Sequence, residues 1–250
     1  MNPPVIESIE RATLAAVSPQ AIEEWPAEGW LLPFDNGTVG RAKTAVPLRH
    51  VAPDIALIER VEARYAAHGL PPALRLPDTS AFDAMRSALT ARGYGSRKPT
   101  FTQVGDARAM AAFSAAPPAA IDTAPDAGWA SVFLGEGFDP VDGASRVQAL
   151  SRAPGSLFAS VRDEESGRTL AAGAMAFGHG WASVHGMRTG QAARGRGLAG
   201  RVLGGLARAA LERGFERVFL QVEAGNTSAL SLYRRAGFEP AWGYAYWQPA

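Results

Sequence analysis

Apolar positions in the second half of the chain follow two periods. The runs SLFASV at 156–161, TLAAGAM at 169–175 and WASVHGM at 181–187 are short, apolar and separated by glycine or charged turns, which predicts three strands. From Leu198 the spacing becomes helical. Leu198, Val202, Leu206, Ala209 and Ala210 share one stripe, Arg201, Arg208 and Arg213 lie off it, and Gly214 suits its C-terminal end. VFLQV at 218–222 reads as a buried strand. Asn226 is a good N-cap for a short helix that gathers Ala229, Leu232, Tyr233 and Ala236 on one face before Gly237 stops it. The alternating aromatics of WGYAYW at 242–247 fit a last strand.

The first half carries a fainter version of the same order. The helix-like IALIERVEARYAAHG, then LPPALRL, then AFDAMRSALTARGY lie beside VLGGLARAALERG, FERVFLQV and NTSALSLYRRAGF, with Gly69 and Gly93 keeping step with Gly214 and Gly237. Helix, glycine, strand, helix and glycine is also a common order in any α/β protein, so coincidence stays open. The segment 107–128, ARAMAAFSAAPPAAIDTAPDAG, is rich in alanine and proline and has little amphipathic period. These patterns predict an α/β (α+β) protein of two mixed-sheet units, 1–106 and 119–250, joined by a linker at 107–118.

Composition removes several function classes. A net charge of +1, from 25 basic and 24 acidic side chains, provides no global field for nucleic acid or an anionic membrane. Zero cysteines exclude disulfides, thiolate metal sites and a cysteine nucleophile, and His50, His68, His179 and His185 show no zinc spacing, so no metal is expected. The acidic N-terminal stretch is unlike a signal peptide, and no apolar run approaches the roughly 18 residues of a membrane span. A soluble, cytoplasmic protein is expected.

The candidate chemistry centres on MRTGQAARGRGLA at 187–199, between a strand and a helix. The first amides of a helix lack internal acceptors, and the helix dipole adds partial positive charge there. Gly195 and Gly197 keep Cβ atoms away from an anion, Ala199 is small, and Arg194 and Arg196 add charged donors. A basic surface turn is the plain alternative. Gly195, Gly197 and Gly200 also satisfy G-x-G-x-x-G, with Glu223 in reach of a ribose role, but TGQAA separates this loop from its strand, unlike a dinucleotide fingerprint.

The ordered set of strand, R-x-x-G-x-A loop, amphipathic helix, RVFLQV strand and N-x-x-A-x-x-L-Y-x-x-x-G-F (Asn226, Ala229, Leu232, Tyr233, Gly237, Phe238) resembles the GNAT superfamily of acyl-CoA-dependent N-acyltransferases. The resemblance is close from Trp181 onward and looser over 119–180. It implies acetyl-CoA as acyl donor. Arg194, Gly195, Arg196, Gly197, Leu198 and Ala199 would surround the pyrophosphate, with Met187, Arg188 and Thr189 alongside pantetheine. Asn226 would anchor the cofactor site and Tyr233 would protonate the departing thiolate. Each has a plainer role, as an N-cap and as a partly buried aromatic.

Strand alternation puts Trp181, Ser183, His185 and Met187 on one side, and His185, with a reference pKa of about 6.5, is the first candidate for the general base, beside the plainer reading of a hydrogen-bonded strand histidine with no catalytic part. Arylalkylamine acetyltransferases of the superfamily carry histidine on this strand, whereas histone-type members carry a glutamate that would fall on Ser183. Glu223 is the second candidate. In the first half, 41–60 lacks the loop motif and Leu89 stands where Tyr233 would, so that copy is expected to be degenerate and to wall off the acceptor site or form a dimer surface. Trp25, Trp30, Arg41 and Lys43 are available for an acceptor pocket, though core and surface roles are the commoner ones for each of them. The expected reaction is direct acetylation of a primary amine on a small molecule or peptide by a monomer or homodimer, without nucleic-acid or membrane partners. A non-catalytic acyl-CoA-binding or interaction module is the main alternative. A basic face of Arg188, Arg194, Arg196, Arg201, Arg234 and Arg235 is a more distant nucleic-acid reading, since aromatic interleaving is absent.

Overall fold

The computed structural model describes residues 3–135, 137 and 139–250. The first half runs α1 (Pro3–Val17), β1 (Ala21–Trp25), β2 (Trp30–Phe34), β3 (Val46–Pro47), α2 (Leu57–Ala67), β4 (Leu74–Pro77), α3 (Asp83–Ala91) and β5 (Tyr94–Asp106). A connection follows with α4 (Ala107–Ala112), β6 (Ala120–Asp122) and α5 (Ala127–Ser131). The order of the first half then recurs: α6 (Pro140–Arg152), β7 (Leu157–Arg162), β8 (Thr169–Gly178), β9 (Trp181–Thr189), α7 (Leu198–Glu212), β10 (Arg217–Glu223), α8 (Thr227–Arg235) and β11 (Glu239–Pro249).

The glycines in step have one job. Gly69, Gly93, Gly214 and Gly237 have φ of +67°, +82°, +79° and +86°, and each ends a helix in the left-handed conformation that glycine adopts without a Cβ penalty. After three of those helices the next amide bonds back five residues, Leu70 to Tyr65, Phe215 to Ala210 and Phe238 to Tyr233, capping free carbonyls.

Among the described residues β1, β2 and β3 form a small antiparallel sheet, and the remaining strands form a sheet ordered β4-β11-β5-β10-β9-β8-β7-β6. At its centre the two halves exchange their last strands: β11 lies between β4 and β5, while β5 lies between β11 and β10. β5 is not legible as a strand in the sequence because Pro99 interrupts it, and proline in a central strand normally argues against one. The structure accommodates Pro99 at an irregularity where pairing jumps from Thr100 with Tyr244 to Arg97 with Tyr246 and Lys98 takes φ +49°.

One face of the large sheet packs on α7, with Ala182, Val184, Val218, Leu220 and Val222 meeting Val202, Leu203 and Leu206. The other face receives α1, where Ile6, Ile9 and Ala12 meet Trp181 and Phe219. The Ala- and Pro-rich connection is partly helical: α4 buries Ala107 and Met110 against α7, and Ala119 donates its N–H to Arg201 O at 3.0 Å. Gly205 permits that approach, since a Cβ there would lie 2.9 Å from Ala119 O.

A chain starting at residue 107 would keep every strand of the second half but lose β4 and β5 of the first, leaving β10 with an open edge and β11 without either neighbour. It should be insoluble or oligomeric alone and become a soluble one-to-one complex when coexpressed with residues 1–106. A monomeric 107–250 chain with a single cooperative melt would contradict this.

Candidate active site

β9 and β10 run parallel but pair only from Ala182 with Val218 to Val184 with Leu220, although the strands continue to Thr189 and Glu223. Past that point they diverge. The cause lies in β9: His185 pairs with Ala174 and Arg188 with Ala172, so Gly186 and Met187 face Gly173 alone, and Gly186 takes φ +59°. This bulge corrects the expected alternation. Trp181, Ser183 and His185 face α1, but Met187 crosses to α7, where a Cβ on Gly173 would lie 2.7 Å from both Met187 Sδ and Val202 Cγ1.

The loop expected to hold phosphate leaves β9 through a turn at Gln191–Ala193 and starts α7 at Leu198. Gly195 (φ +77°) and Gly197 (φ +73°) are both left-handed, and nothing lies within 4 Å of the place a Cβ would occupy, so the space before the helix is open. Gly197 provides no side-chain cap. The first amides of α7 therefore face outward beside exposed Arg194 and Arg196, with Leu198 buried and Ala199 half-buried behind them. Gly200 serves packing instead, because its Cβ would approach Phe113 Cε1 at 3.2 Å. Glu223 opens on the opposite sheet face, beside Gln221. That separation, with the intervening turn, overturns the dinucleotide reading of the loop.

Tyr233 projects from α8 into the core under this loop and is 7% exposed, its ring edge-on to Phe238 at 5.9 Å. Burial pushes its phenol up to about 12, so it holds its proton at neutral pH. Among the described residues its hydroxyl has no hydrogen-bond partner. Asn226 is the N-cap of α8, its Oδ1 accepting from Ala229 N at 3.1 Å. Arg188 lies beside the Phe133 ring at 5.9 Å, and Thr189 pairs with Ala171 at the end of β9.

His185 differs from expectation. It is 4% exposed, and burial, aided by the charge of Arg41, pushes its pKa down to about 3, so the imidazole is neutral at pH 7 and a poor base. Ser183 Oγ donates to Ala176 O at 3.3 Å and lies 2.8 Å from His185 Nε2, an arrangement in which Nε2 carries the proton. Nδ1 is buried without a partner. The residue lines a small space of about 20 Å³ with Arg41 and Arg146.

The large cavity lies on the α1 side of the sheet and measures about 460 Å³. Its walls come from both halves: 38–41, 43–44, 71–73, 97–98 and Thr100 of the first, and Arg146, Gln221, Glu223, Tyr244, Tyr246 and Gln248 of the second. Arg41 and Arg146 border both spaces and so stand between His185 and the larger one. Arg41 is fixed by its Nη1 donating to Gln221 Oε1 at 2.8 Å, and Gln221 Nε2 donates to Thr13 Oγ1 of α1 at 3.4 Å. Arg41 and Lys43 thus reach the cavity as expected. Trp25 and Trp30 do not: both pack in the core of the first half with Tyr65 and Leu89. The sequence reading missed Arg97, Lys98, Tyr244 and Tyr246, whose only signal was a basic pair beside Pro99 and an aromatic alternation read as a last strand.

The first half has no second copy of the loop. The chain between β3 and α2 contains no glycine, Ala56 caps α2 without a side-chain bond, and Leu89 is fully buried at the position matching Tyr233. Among the described residues no cluster of acids and histidines could hold a metal, and no helix is long and apolar enough to cross a membrane.

A GNAT (GCN5-related) N-acetyltransferase from Kribbella flavida superimposes with a TM-score of 0.70 at 15% identity, covering 98% of this chain and 95% of its own. A tandem GNAT protein from the clavulanic acid biosynthesis pathway gives 0.59 at 14% identity, with 96% and 94% covered. An acetyltransferase of the GNAT family from Colwellia psychrerythraea gives 0.51 at 14%, with 98% and 97% covered. No curated protein matches the sequence. A family model described as "Probable histone acetyltransferase Rv0428c C-terminal" matches residues 5–247. With nearly its whole length matched, and with this fold, the chain belongs to that acetyltransferase family of the GNAT superfamily.

Proposed function

We propose that the protein is an N-acetyltransferase that moves an acetyl group from acetyl-CoA to a primary amine, with one donor site per chain. The observation that carries this reading is the gap between β9 and β10, which has the open anion loop at the start of α7 on one face of the sheet and the 460 Å³ cavity on the other. The pyrophosphate would lie on the amides of Gly195, Arg196, Gly197, Leu198 and Ala199, with Arg194 and Arg196 beside it. Pantetheine would follow Met187, Arg188 and Thr189 into the gap, with Asn226 holding its far side at the start of α8. This puts the thioester at the bulge, within reach of the cavity.

The acceptor would enter from the cavity, where Glu223 removes the ammonium proton. The freed amine attacks the thioester carbonyl, backbone amides near Thr189 hold the developing oxyanion, and as the C–S bond breaks Tyr233 gives its proton to the sulfur while the extra proton on the new amide nitrogen leaves to water in the cavity. Glu223 is preferred to His185 as base because it lines the cavity, whereas His185 does not and holds protons weakly. In this reading the first half, with the division 1–106, 107–118 and 119–250, is a degenerate copy that supplies acceptor walls. A monomer or homodimer in the cytoplasm is consistent with it.

Gly197→Val places a β-branched side chain at φ +73° in the loop, and calorimetry should show strongly weakened acetyl-CoA binding. Equal affinity in the two proteins would sink the donor site. Tyr233→Phe should lower kcat by about a hundredfold in a thiol-release assay with little change in acetyl-CoA affinity. Unchanged kcat would favour a non-catalytic acyl-CoA-binding module.

His185 and His50 both have pKa values lowered by burial, to about 3 and about 4. The unfolded chain, with histidines near about 6.5, binds more protons across this range. The stability that neutral His185 contributes is therefore fully present above that pH and is lost as pH falls toward about 3. Chemical denaturation from pH 7 to pH 4 should show a shallower fall in His185→Asn, with activity at neutral pH reduced far less than in Glu223→Gln. A larger activity loss in His185→Asn would restore it as the base.

A further inference from the structure

We infer that the acceptor is a small anionic amine, one that carries a carboxylate or phosphate group beside its amino group. This rests on the acyl-transfer reading and names the substrate class of the same cavity. Five cations line that space, Arg41, Lys43, Arg97, Lys98 and Arg146, against one carboxylate, Glu223. Arg146 is paired with Asp142 at 2.6 Å, so its charge is largely offset. The other four have no carboxylate within salt-bridge distance among the described residues; Arg41 hydrogen-bonds the neutral Gln221, and beyond salt-bridge distance its charge also acts on the buried Glu10.

The imbalance is local. The chain as a whole carries a net charge of +1, and elsewhere in the first half Arg60, Arg64 and Arg92 each find a glutamate. Unpaired cations gathered in a concave space raise the local concentration of anions and repel cations. Lys98 is also held there at a cost: its φ of +49° is unusual for a residue with a side chain, and the irregularity between β5 and β11 fixes it beside the cavity. The volume suits a small molecule.

The two signs divide the acceptor's recognition. Glu223 stands at the end of β10, where the strands part, and meets the amino group, while Lys43, Arg97, Lys98 and Arg41 hold the anionic end through charge-assisted hydrogen bonds. A cationic acceptor, such as a lysine-rich protein tail, would bring like charge into this space and be disfavoured. The donor's phosphates do not account for the cluster, because the loop suited to them lies at the start of α7, across the sheet.

The test uses the full chain with CoA present and measures binding by calorimetry for three kinds of probe: L-glutamate, L-aspartate and O-phosphoethanolamine as anionic amines; tyramine and spermidine as amines without an anion; and a lysine-rich peptide. At least one anionic amine should bind, with affinity falling as salt is added, and the cationic probes should bind at least tenfold more weakly. Lys43→Met and Arg97→Met replace cavity side chains outside the fold's core. Each should weaken the anionic probe about tenfold and leave CoA affinity unchanged. Equal or tighter binding of spermidine or the peptide, no binding of any anionic amine, or a loss of CoA affinity in these variants would overturn the proposal. Thiol release over the same panel keeps the two readings apart: turnover of cationic amines overturns this proposal and supports acyl transfer. Anion-selective binding without turnover of any amine counts against acyl transfer and, with it, overturns the assignment of these amines as acceptors.

Discussion

Exchange of the last strands is the constraint on which the rest of the molecule depends. β5 fills the place between β10 and β11, and β11 fills the place between β4 and β5, so neither half can satisfy its own backbone hydrogen bonds without the other. The exchange joins two similar units into one sheet and brings Arg97 and Lys98 of the first beside Gln221 and Glu223 of the second. The cavity exists because the strands were traded.

The second constraint is the bulge at Gly186. One extra residue on β9 ends its pairing with β10, turns Met187 toward α7 and leaves His185 on the α1 side. In the proposed function, the gap this opens joins two spaces of different chemistry. On the α7 face lie outward amides and two arginines, which the proposed function uses as its anion site. On the α1 face, side chains from both halves line a cavity with a marked excess of positive charge. Tyr233 contributes a protonated phenol from the first face, and Glu223 a carboxylate from the second.

Much of the second half was legible in the residues. The runs at 156–161, 169–175, 181–187 and 218–222, the helices after Gly197 and Asn226 and their glycine stops all formed as expected, because each carries its own period and its own cap or stop. The internal repeat was faint but rested on a physical signal, glycines obliged to take positive φ after matching helices. The glycine loop at the start of α7 was readable for the same reason, since a helix start with glycines is a local arrangement. β5 was hidden because Pro99 breaks the alternation that marks a strand, and only its neighbours on both sides stabilise it there.

Local sequence therefore determined the order of elements, the helix ends, the loop at the start of α7 and the lack of such a loop in the first half. These depend on dihedral preferences and apolar spacing within a few residues. Tertiary structure alone decided the strand exchange, the reversal of Met187, the burial that leaves His185 neutral and weakly basic, and the assembly of Arg41, Lys43, Arg97 and Lys98 around one cavity. Those outcomes depend on which surfaces meet, and desolvation and long-range charge arise only once residues distant along the chain are packed together.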